Sequence, residues 1–320
     1  MDKIKEIDLD NPEFQNVWKL IQYTRRSVFL TGKAGTGKST FLKYICANTS
    51  KKHVVLAPTG IAAVNVGGVT LHSFFKIPFK PTLPDDPEFM VKHLRKRMKY
   101  GDSFVKLLRK LELIIIDEIS MVRADTIDFV DKILRVYTGN LREPFGGKQM
   151  LFVGDIFQLE PVVTGDMRDI LSHIYPQPYF FNACVFKEMG MVSLELKKVY
   201  RQNDSSFISM LDRIRVGRPD VDDIVSLNKR LVGTDKRCGD DESFVMTLAT
   251  RRDMVDAINS QHLSELKSPE VVYTGKISGD FPENSLPTSL ELILKEGAQV
   301  VFIKNDIDRR WVNGTLGRIY

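Results

Sequence analysis

The residues best suited to chemistry in this sequence lie between Gly32 and Ser39, which read GKAGTGKS. They match every specified position of the phosphate-binding pattern G-x-x-x-x-G-K-[ST]. Glycines at 32, 35 and 37 let the backbone approach phosphate oxygens, so that successive N–H groups point at one place. In such a loop Lys38 would reach the β- and γ-phosphates and Ser39 would bind Mg²⁺. We therefore predict a polyphosphate and Mg²⁺ site here.

Two adjacent carboxylates, Asp117 and Glu118, follow the apolar run Leu113–Ile116. Four apolar residues predict a buried parallel strand, which would carry both carboxylates at its carboxyl end. There Asp117 would face the Mg²⁺ opposite Ser39, and Glu118 would polarise a water molecule. A surface pair of carboxylates is the alternative, but the upstream phosphate loop favours the catalytic interpretation.

Two further polar residues follow predicted strands. Met150–Val162 begins as a buried strand, and Gln158 comes shortly after it. A neutral amide can hydrogen-bond a γ-phosphate and groups that shift when it leaves, so Gln158 is a candidate sensor. Arg201 precedes a predicted helix at 206–216. It would either form an ion pair at the helix cap or reach across a domain cleft to phosphate.

The elements around the phosphate loop suit this chemistry. Ser27–Thr31 predicts a buried strand and Thr40–Asn48 a helix, whose N-terminus adds positive dipole charge. Asn11–Thr24 predicts an amphipathic helix before that strand. Gln15 lies on this helix, and spacing alone favours a solvated residue.

A second predicted strand, His53–Ala57, precedes a cluster of polar residues. Because ligands bind beyond the carboxyl ends of strands in open α/β sheets, these residues could contact a phosphodiester backbone, and His72 and Phe74 could stack on bases. A packing role is equally compatible with His72. The polar candidates are Thr59, Asn65, Thr70, His72 and Ser73.

The stretch from about 76 to 110 changes character and predicts a small inserted subdomain. It begins with prolines and acidic residues and continues with a dense run of positive charge. Basic helices are usually solvated faces, but charge beside a nucleotide site also suits nucleic-acid contact. The basic residues are Lys92, Arg95, Lys96, Arg97, Lys99, Lys106, Arg109 and Lys110.

The remaining pattern alternates strands and helices and predicts an α/β fold with two domains, 1–190 and 191–320. A segment rich in Pro, Gly and Ser, Lys267–Ser289, predicts an irregular connection. The other predicted elements are helix Arg123–Val136, turn Phe145–Gly147, strand Met191–Leu196, strand Phe244–Leu248, helix Arg252–Leu266, strand Gln299–Ile303 and strand Thr315–Tyr320.

Composition narrows the class of protein. A net charge of +5 over 320 residues permits a nucleic-acid partner without requiring one. Cys46, Cys184 and Cys238 are too far apart to indicate a disulfide framework or a zinc site. The first residues are charged, and no apolar run approaches the ~20 residues that span a bilayer. We expect a soluble intracellular protein, cytoplasmic if bacterial, without a membrane partner.

With these residues in place, the chain resembles the petite-integration-frequency family of DNA helicases in superfamily 1B. The resemblance extends from Gln15 to Tyr320. It is carried, in order, by APTGIAA, GGVTLHSFF, IDEISMV, PFGGKQ, GDIFQL and VYRQ. PFGGKQ is similar to the signature that distinguishes this family.

The resemblance implies two RecA-like parallel-sheet P-loop domains that bind ATP and Mg²⁺. It assigns adenine recognition to Gln15 in place of the solvated role, catalysis of hydrolysis to Glu118, and γ-phosphate contact to Gln158 and Arg201. Asp117 and Ser39 would hold Mg²⁺. The remaining nucleotide contacts would come from Gly35, Thr36, Gly37, Lys38 and Thr40.

The resemblance also implies single-stranded DNA lying across both domains, 5′-to-3′ translocation, and unwinding of duplex and G-quadruplex DNA. No obligate protein partner is indicated. The DNA contacts would come from Thr59, Asn65, Thr70, His72 and Thr250.

Two features depart from the family pattern. Glu160 stands where relatives usually have proline, and we expect little consequence. The sequence ends before the family's later motifs, which include an arginine that completes the γ-phosphate clamp. Since an arginine at this step can contribute ~10³ or more in rate, we expect these residues alone to hydrolyse ATP poorly.

Two other functions fit the same motifs. A phosphate-loop ATPase that remodels a protein shares the superfold, and stimulation of hydrolysis by single-stranded DNA would argue against it. The second is a nucleic-acid-binding module whose nucleotide is only structural. Loss of turnover in Glu118→Gln with ATP binding retained would argue against that module.

Overall fold

Contacts divide the chain into two compact units, Met1–Arg230 and Leu231–Tyr320. This division falls later than the predicted boundary at residue 190. The strand Met191–Leu196, which we predicted to open the second domain, pairs within the sheet of the first unit. A computed structural model describes residues 8–78, 80–202, 204–231, 244–277, 288–303, 306, 308, 310–311 and 314–320.

A six-stranded parallel sheet forms the centre of the first unit, in the order β3-β2-β4-β5-β1-β6. Its middle strands are apolar runs rather than alternating ones because both faces of the sheet are covered by helices. Every residue of Leu113–Ile116 is fully buried. The strands are β1 (Ser27–Gly32), β2 (His53–Ala57), β3 (Val69–Thr70), β4 (Leu113–Ile116), β5 (Gln149–Val153) and β6 (Met191–Leu196).

The helices of this unit match the predicted ones at α1, α2, α7 and α9 to within two residues, and α8 and α10 were not predicted. They are α1 (Pro12–Tyr23), α2 (Lys38–Asn48), α3 (Gly60–Asn65), α4 (Leu71–Phe75), α5 (Val91–Met98), α6 (Asp102–Lys110), α7 (Ala124–Thr138), α8 (Gly165–Ser172), α9 (Ser205–Arg215) and α10 (Val221–Asn228).

Two hydrophobic cores lie on opposite faces of the sheet. Successive residues of β4 show the division, because Ile114 joins the core that contains α7 whereas Ile115 joins the core that contains α1 and α2. Side chains alternate between the faces of a strand, so β4 contributes to both cores. Packing on both faces of the sheet therefore holds the ends of its strands in place.

The second unit contains helix α11 (Arg252–Glu265) and two antiparallel strand pairs among its described residues. Strand β7 (Val271–Thr274) pairs with β8 (Glu291–Leu294), and β9 (Gln299–Val301) pairs with β10 (Leu316–Arg318). Its assignment as part of a second RecA-like domain stays a prediction.

Two element predictions in this unit are wrong. Phe244–Leu248 was predicted as a strand but has no strand structure. The Val245 carbonyl accepts from Gln299 Nε2 at 3.0 Å, and the Arg318 guanidinium carbon lies 5.6 Å from the centre of the Phe244 ring. Strand β7 lies inside Lys267–Ser289, which we predicted to be irregular.

Candidate nucleotide-binding site

The phosphate loop joins β1 to α2, as predicted. Gly35 and Gly37 have φ of 81° and 85°, in the left-handed region that favours glycine. A Cβ at Gly35 would also lie 2.7 Å from the Cβ of Arg201. The Tyr200 N–H donates to the Gly35 carbonyl at 2.8 Å. The segment with the sequence VYRQ therefore packs against the loop and supports its shape.

Lys38 turns its ammonium back into the loop. Its Nζ donates to the Gly32 carbonyl at 2.6 Å and to the Lys33 carbonyl at 3.0 Å. Burial lowers the pKa of Lys38, and the negative charges of Asp155 and Glu118 oppose that effect. The charge is thus fixed at the concave side of the loop, where the sequence predicted it.

Asp117 lies at the end of β4 with only 4% of its surface exposed. Burial raises its pKa to about 6, against an opposing backbone hydrogen bond from Glu118, and the negative charge of Glu118 adds to the rise. The Asp117 N–H donates to the Leu56 carbonyl of β2 at 2.8 Å, which fixes the backbone there. Glu118 is half-buried and has φ of 49°, a conformation that is costly for a residue with a Cβ.

These residues fit Mg²⁺. A buried carboxylate whose ionisation is disfavoured gains most from a hard cation, and the exposed Ser39 hydroxyl would supply a second oxygen ligand. Among the described residues no group of three His, Cys, Asp or Glu could hold a metal by itself. Mg²⁺ is commonly bound through one or two protein oxygens together with phosphates. The Mg²⁺ assignment stays a prediction.

Gln158 belongs to a network that the sequence did not reveal. Its Nε2 donates to Asp155 Oδ2 at 3.1 Å, and Asp155 is 99% buried, with a relative exposure of 1%. Arg215 of α9 donates to the same carboxylate from Nη2 at 2.6 Å and from Nε at 3.0 Å. Arg215 is 60 residues from Asp155, so no local sequence signal connects them.

Arg201 has an exposed side chain beside the phosphate loop. The N-cap of α9 is Asp204, whose side chain accepts from the Ser206 and Phe207 N–H groups. Within the part of the chain that the structure describes, Arg201 forms no ion pair. The described structure therefore gives no support to an ion pair at the helix cap, and the γ-phosphate role stays a prediction.

Gln15 is exposed on α1, and its Nε2 donates to the Leu9 carbonyl at 2.9 Å. The helix is fixed against the loop, because Phe14 stacks on Phe41 of α2 with ring centroids 4.5 Å apart. Tyr200 lies on the other side of Phe14, at 6.2 Å. Adenine recognition by Gln15 stays a prediction.

Thr36 and Thr40, the other predicted nucleotide contacts, differ in exposure. Thr36 is fully buried and its Oγ1 donates to the Lys33 carbonyl at 2.9 Å. The Thr36 N–H donates to the same carbonyl at 3.3 Å, so both groups shape the loop, and the nucleotide contact of Thr36 stays a prediction. Thr40 is half-buried in the first turn of α2.

The predicted DNA contacts of the first unit gather at the end of β2 and β3. Thr59 caps α3 by accepting from the Ala62 N–H, and Thr70 caps α4 by accepting from the Ser73 N–H. The parallel pairing of Ala57 with Thr70 brings both caps to one edge. Helix N-termini with exposed hydroxyl neighbours suit phosphate oxygens.

Other predicted DNA residues are less uniform. Asn65 is exposed, whereas His72 is half-buried, and burial followed by Arg123 lowers the pKa of His72. Phe74 packs edge-on against Phe75 and Phe104, so the prediction that it stacks on bases is not supported. Thr250, in the second unit, is exposed just before α11.

Two of the predicted basic residues donate to backbone carbonyls of α7. Arg95 Nη2 donates to the Val136 carbonyl at 2.9 Å, and Arg109 Nε donates to the Tyr137 carbonyl at 3.2 Å. Both carbonyls lie in the last turn of α7, where cations are favourable. All eight predicted basic residues of α5, α6 and their link are exposed, and Arg97 also lies 3.9 Å from Glu88.

Several other residues named in the sequence analysis can also be placed. Glu160 accepts from the Tyr179 hydroxyl at 3.2 Å. Cys46 and Cys184 are free thiols, and Cys238 lies outside the described residues. None of the helices described is long and apolar enough to cross a membrane.

Comparison with known proteins gives the family to which this chain is similar. The profile of the family described as PIF1-like helicase matches residues 11–223. The ATP-dependent DNA helicase PIF1 of Saccharomyces cerevisiae is 34% identical over 96% of this chain and 35% of its own length. The human ATP-dependent DNA helicase PIF1 is 35% identical over 91% of this chain and 43% of its own. The chain thus spans less than half of these relatives.

Solved structures that are similar to this chain come from the same family. Bacteroides Pif1 bound to single-stranded DNA is 42% identical, with a TM-score of 0.82 over 96% of this chain and 68% of that one. Pif1 from Bacteroides with ADP-AlF3 and single-stranded DNA is 41% identical, with a TM-score of 0.80 over 96% of this chain and 69% of that one. The predicted resemblance and the α/β fold class are confirmed.

Proposed function

The chain belongs to the PIF1-like helicase family, and from this we propose that it is the ATP-binding part of a DNA helicase that moves 5′ to 3′ on single-stranded DNA. One observation carries the proposal. Lys38, Asp117 and Asp155 follow the carboxyl ends of three adjacent strands of one parallel sheet, β1, β4 and β5. Relatives named as ATP-dependent DNA helicases, and solved relatives bound to single-stranded DNA, support it.

In the proposed reaction the phosphate loop holds ATP. Lys38 and the loop N–H groups bind the phosphates, and Gln15 recognises adenine. Ser39 and Asp117 hold Mg²⁺, which would neutralise charge that develops on the phosphates. Glu118, next to Asp117, takes a proton from the attacking water.

Coupling to DNA follows from the same end of the sheet. Gln158 and Arg201 address the γ-phosphate, while the capped ends of α3 and α4 hold the DNA backbone through Thr59, Asn65 and Thr70, with His72 beside them. Thr250 is the corresponding candidate in the second unit. ATP binding closes the two domains and hydrolysis releases them, so that alternating grips step along the strand. Duplex and G-quadruplex DNA are the proposed substrates.

The chemistry is tested by single-turnover hydrolysis, with protein in excess of ATP and with or without single-stranded DNA. We expect slow hydrolysis that DNA accelerates, and Glu118→Gln should abolish hydrolysis while ATP still binds. Glu195→Gln is the matched control, because Glu195 is exposed on β6. Unchanged hydrolysis in Glu118→Gln would refute the assigned base.

The polarity needs a polypeptide that contains both complete motor domains. Strand separation is measured on duplexes that carry either a 5′ or a 3′ single-stranded tail. Unwinding should require the 5′ tail. A requirement for the 3′ tail would overturn the proposed direction, and a G-quadruplex placed in the duplex tests the second substrate.

A further inference from the structure

Helix α9 forms two ion pairs with residues that follow the carboxyl ends of β1 and β5. The two α9 residues that form them are one helical turn apart. Asp212 accepts from Lys33, which lies inside the phosphate loop, and Arg215 pairs with Asp155 just beyond β5. Residues at i and i+3 lie on the same side of a helix. One helical face is therefore attached both to the loop that binds phosphates and to the turn that carries Gln158.

The pair formed by Arg215 and Asp155 is the more enclosed of the two. The side chains retain 16% and 1% exposure. Two guanidinium nitrogens contact the carboxylate, and the guanidinium carbon lies 4.5 Å from the centre of the Phe157 ring. A two-point contact of this kind fixes direction as well as charge. Asp155 is thus held in one orientation by a residue from a distant helix.

This pairing determines the ionisation of Asp155. Burial acts to raise the pKa of the carboxyl, but hydrogen bonds from Arg215 and the Phe157 N–H outweigh it and leave the pKa below its ordinary value. An ionised carboxylate only accepts hydrogen bonds. The Gln158 amide must therefore present nitrogen to Asp155, which leaves its second N–H and its carbonyl oxygen for other partners.

We propose that Arg215 is a positioning residue. Acting through Asp155, it fixes the orientation of the Gln158 amide, and so the positions of Nε2 and Oε1 relative to the γ-phosphate of a bound nucleotide. The inference rests on the proposed function, since it assumes that Gln158 addresses that phosphate. Removal of the guanidinium would leave a buried carboxylate without its ion-pair partner, held only by the Phe157 N–H and the Gln158 amide. The amide could then turn, and recognition of the third phosphate would weaken while recognition of the first two would not.

The test compares the binding of ADP with that of a non-hydrolysable ATP analogue, both carrying a fluorescent ribose label. In Arg215→Gln the Kd for labelled ADP should stay within about twofold. The Kd for the analogue should rise about tenfold, as expected for loss of one hydrogen bond to a charged group. Arg218→Gln is the control, because Arg218 is exposed just after α9.

A double substitution tests whether Arg215 acts through the amide. Gln158→Ala should raise the ratio of the two Kd values by a similar factor, and Arg215→Gln combined with Gln158→Ala should add nothing further. Additive effects, or no change in Gln158→Ala, would overturn the proposal.

Further outcomes separate this inference from the function on which it rests. A wild-type chain that binds neither nucleotide refutes the proposed function itself. If wild type binds both and Arg215→Gln keeps the original ratio, only the positioning role fails. If Arg215→Gln does not fold, Arg215→Lys replaces it, since lysine keeps the charge but not the two-point contact. The same rise in the ratio, at unchanged thermal stability, is then required.

Discussion

Lys38, Asp117 and Asp155 lie beyond the carboxyl ends of β1, β4 and β5, a region that we call the buried edge. Its charged groups are mostly buried and each has defined neighbours, whereas most charged side chains of α5 and α6 are exposed. At the buried edge, burial makes each charge costly, so each needs a partner or a ligand. In α5 and α6, water solvates the charges at little cost. The difference indicates where a single substitution should have a large effect and where effects should be small and additive.

The largest effect should come from Lys38→Ala, which removes the central cation of the buried edge. Hydrogen bonds to charged groups contribute about 1.5–3 kcal/mol each, so nucleotide affinity should fall by at least about a hundredfold. Titration with a fluorescent ATP analogue measures the loss. Lys43→Ala is the control, because Lys43 is exposed on the same helix. Equal affinity in the two variants would show that the buried edge is not the nucleotide site.

The next effect concerns stability, through Asp117. Its pKa in the folded chain is about 6, against 3.8 for the ordinary carboxyl. Between these values the folded state binds a proton that the unfolded state has released, so the free energy of unfolding falls as pH rises from about 4 to about 6. Asp117→Asn should therefore stabilise the chain at pH 7, by at most about 3 kcal/mol. It should also abolish any Mg²⁺-dependent strengthening of nucleotide binding.

Urea unfolding at pH 4 and at pH 7 measures this difference between Asp117→Asn and wild type. The two proteins should converge at the lower pH. Asp169→Asn, on the exposed side of α8, should be neutral at both. A variant that is less stable at pH 7 would show that the Asp117 carboxylate is compensated within the fold and is not reserved for a cation.

The buried edge was also the part best predicted from sequence. Its strands are short apolar runs, and the phosphate loop and the Asp117–Glu118 pair stand immediately next to those runs in the chain. Each of these residues follows its own strand, and ligand-binding residues gather beyond the carboxyl ends of parallel strands, so the pattern was enough to place Lys38 near Asp117. Arg215 was missed because nothing beside it in the chain marks it as a partner of Asp155, and a helix residue of that type is ordinarily solvated.

The second unit shows why apolar runs can mislead. Phe244–Leu248 has the composition of a strand, but a strand needs a hydrogen-bonded partner, and these residues are mostly exposed in the described structure. The residues of β7 were hidden by the Pro, Gly and Ser around them, although Val271–Thr274 itself is β-branched and aromatic and pairs with β8. Tertiary pairing decided both outcomes.

The smallest effects should come from α5 and α6, where two kinds of basic residue can be separated. Lys92, Lys96 and Lys106 are exposed, and if they contact DNA, changing all three to Gln should weaken single-stranded DNA binding and reduce its salt slope by up to about 0.7 per lost contact. Arg95→Gln should instead cost at most about 1 kcal/mol of stability, since Arg95 binds the Val136 carbonyl of α7. Fluorescence anisotropy at several salt concentrations, together with urea unfolding, distinguishes the two losses. An unchanged salt slope in the triple variant would mean that these lysines are only solvated. In that case α5 and α6 would differ from the buried edge in function as well as in burial.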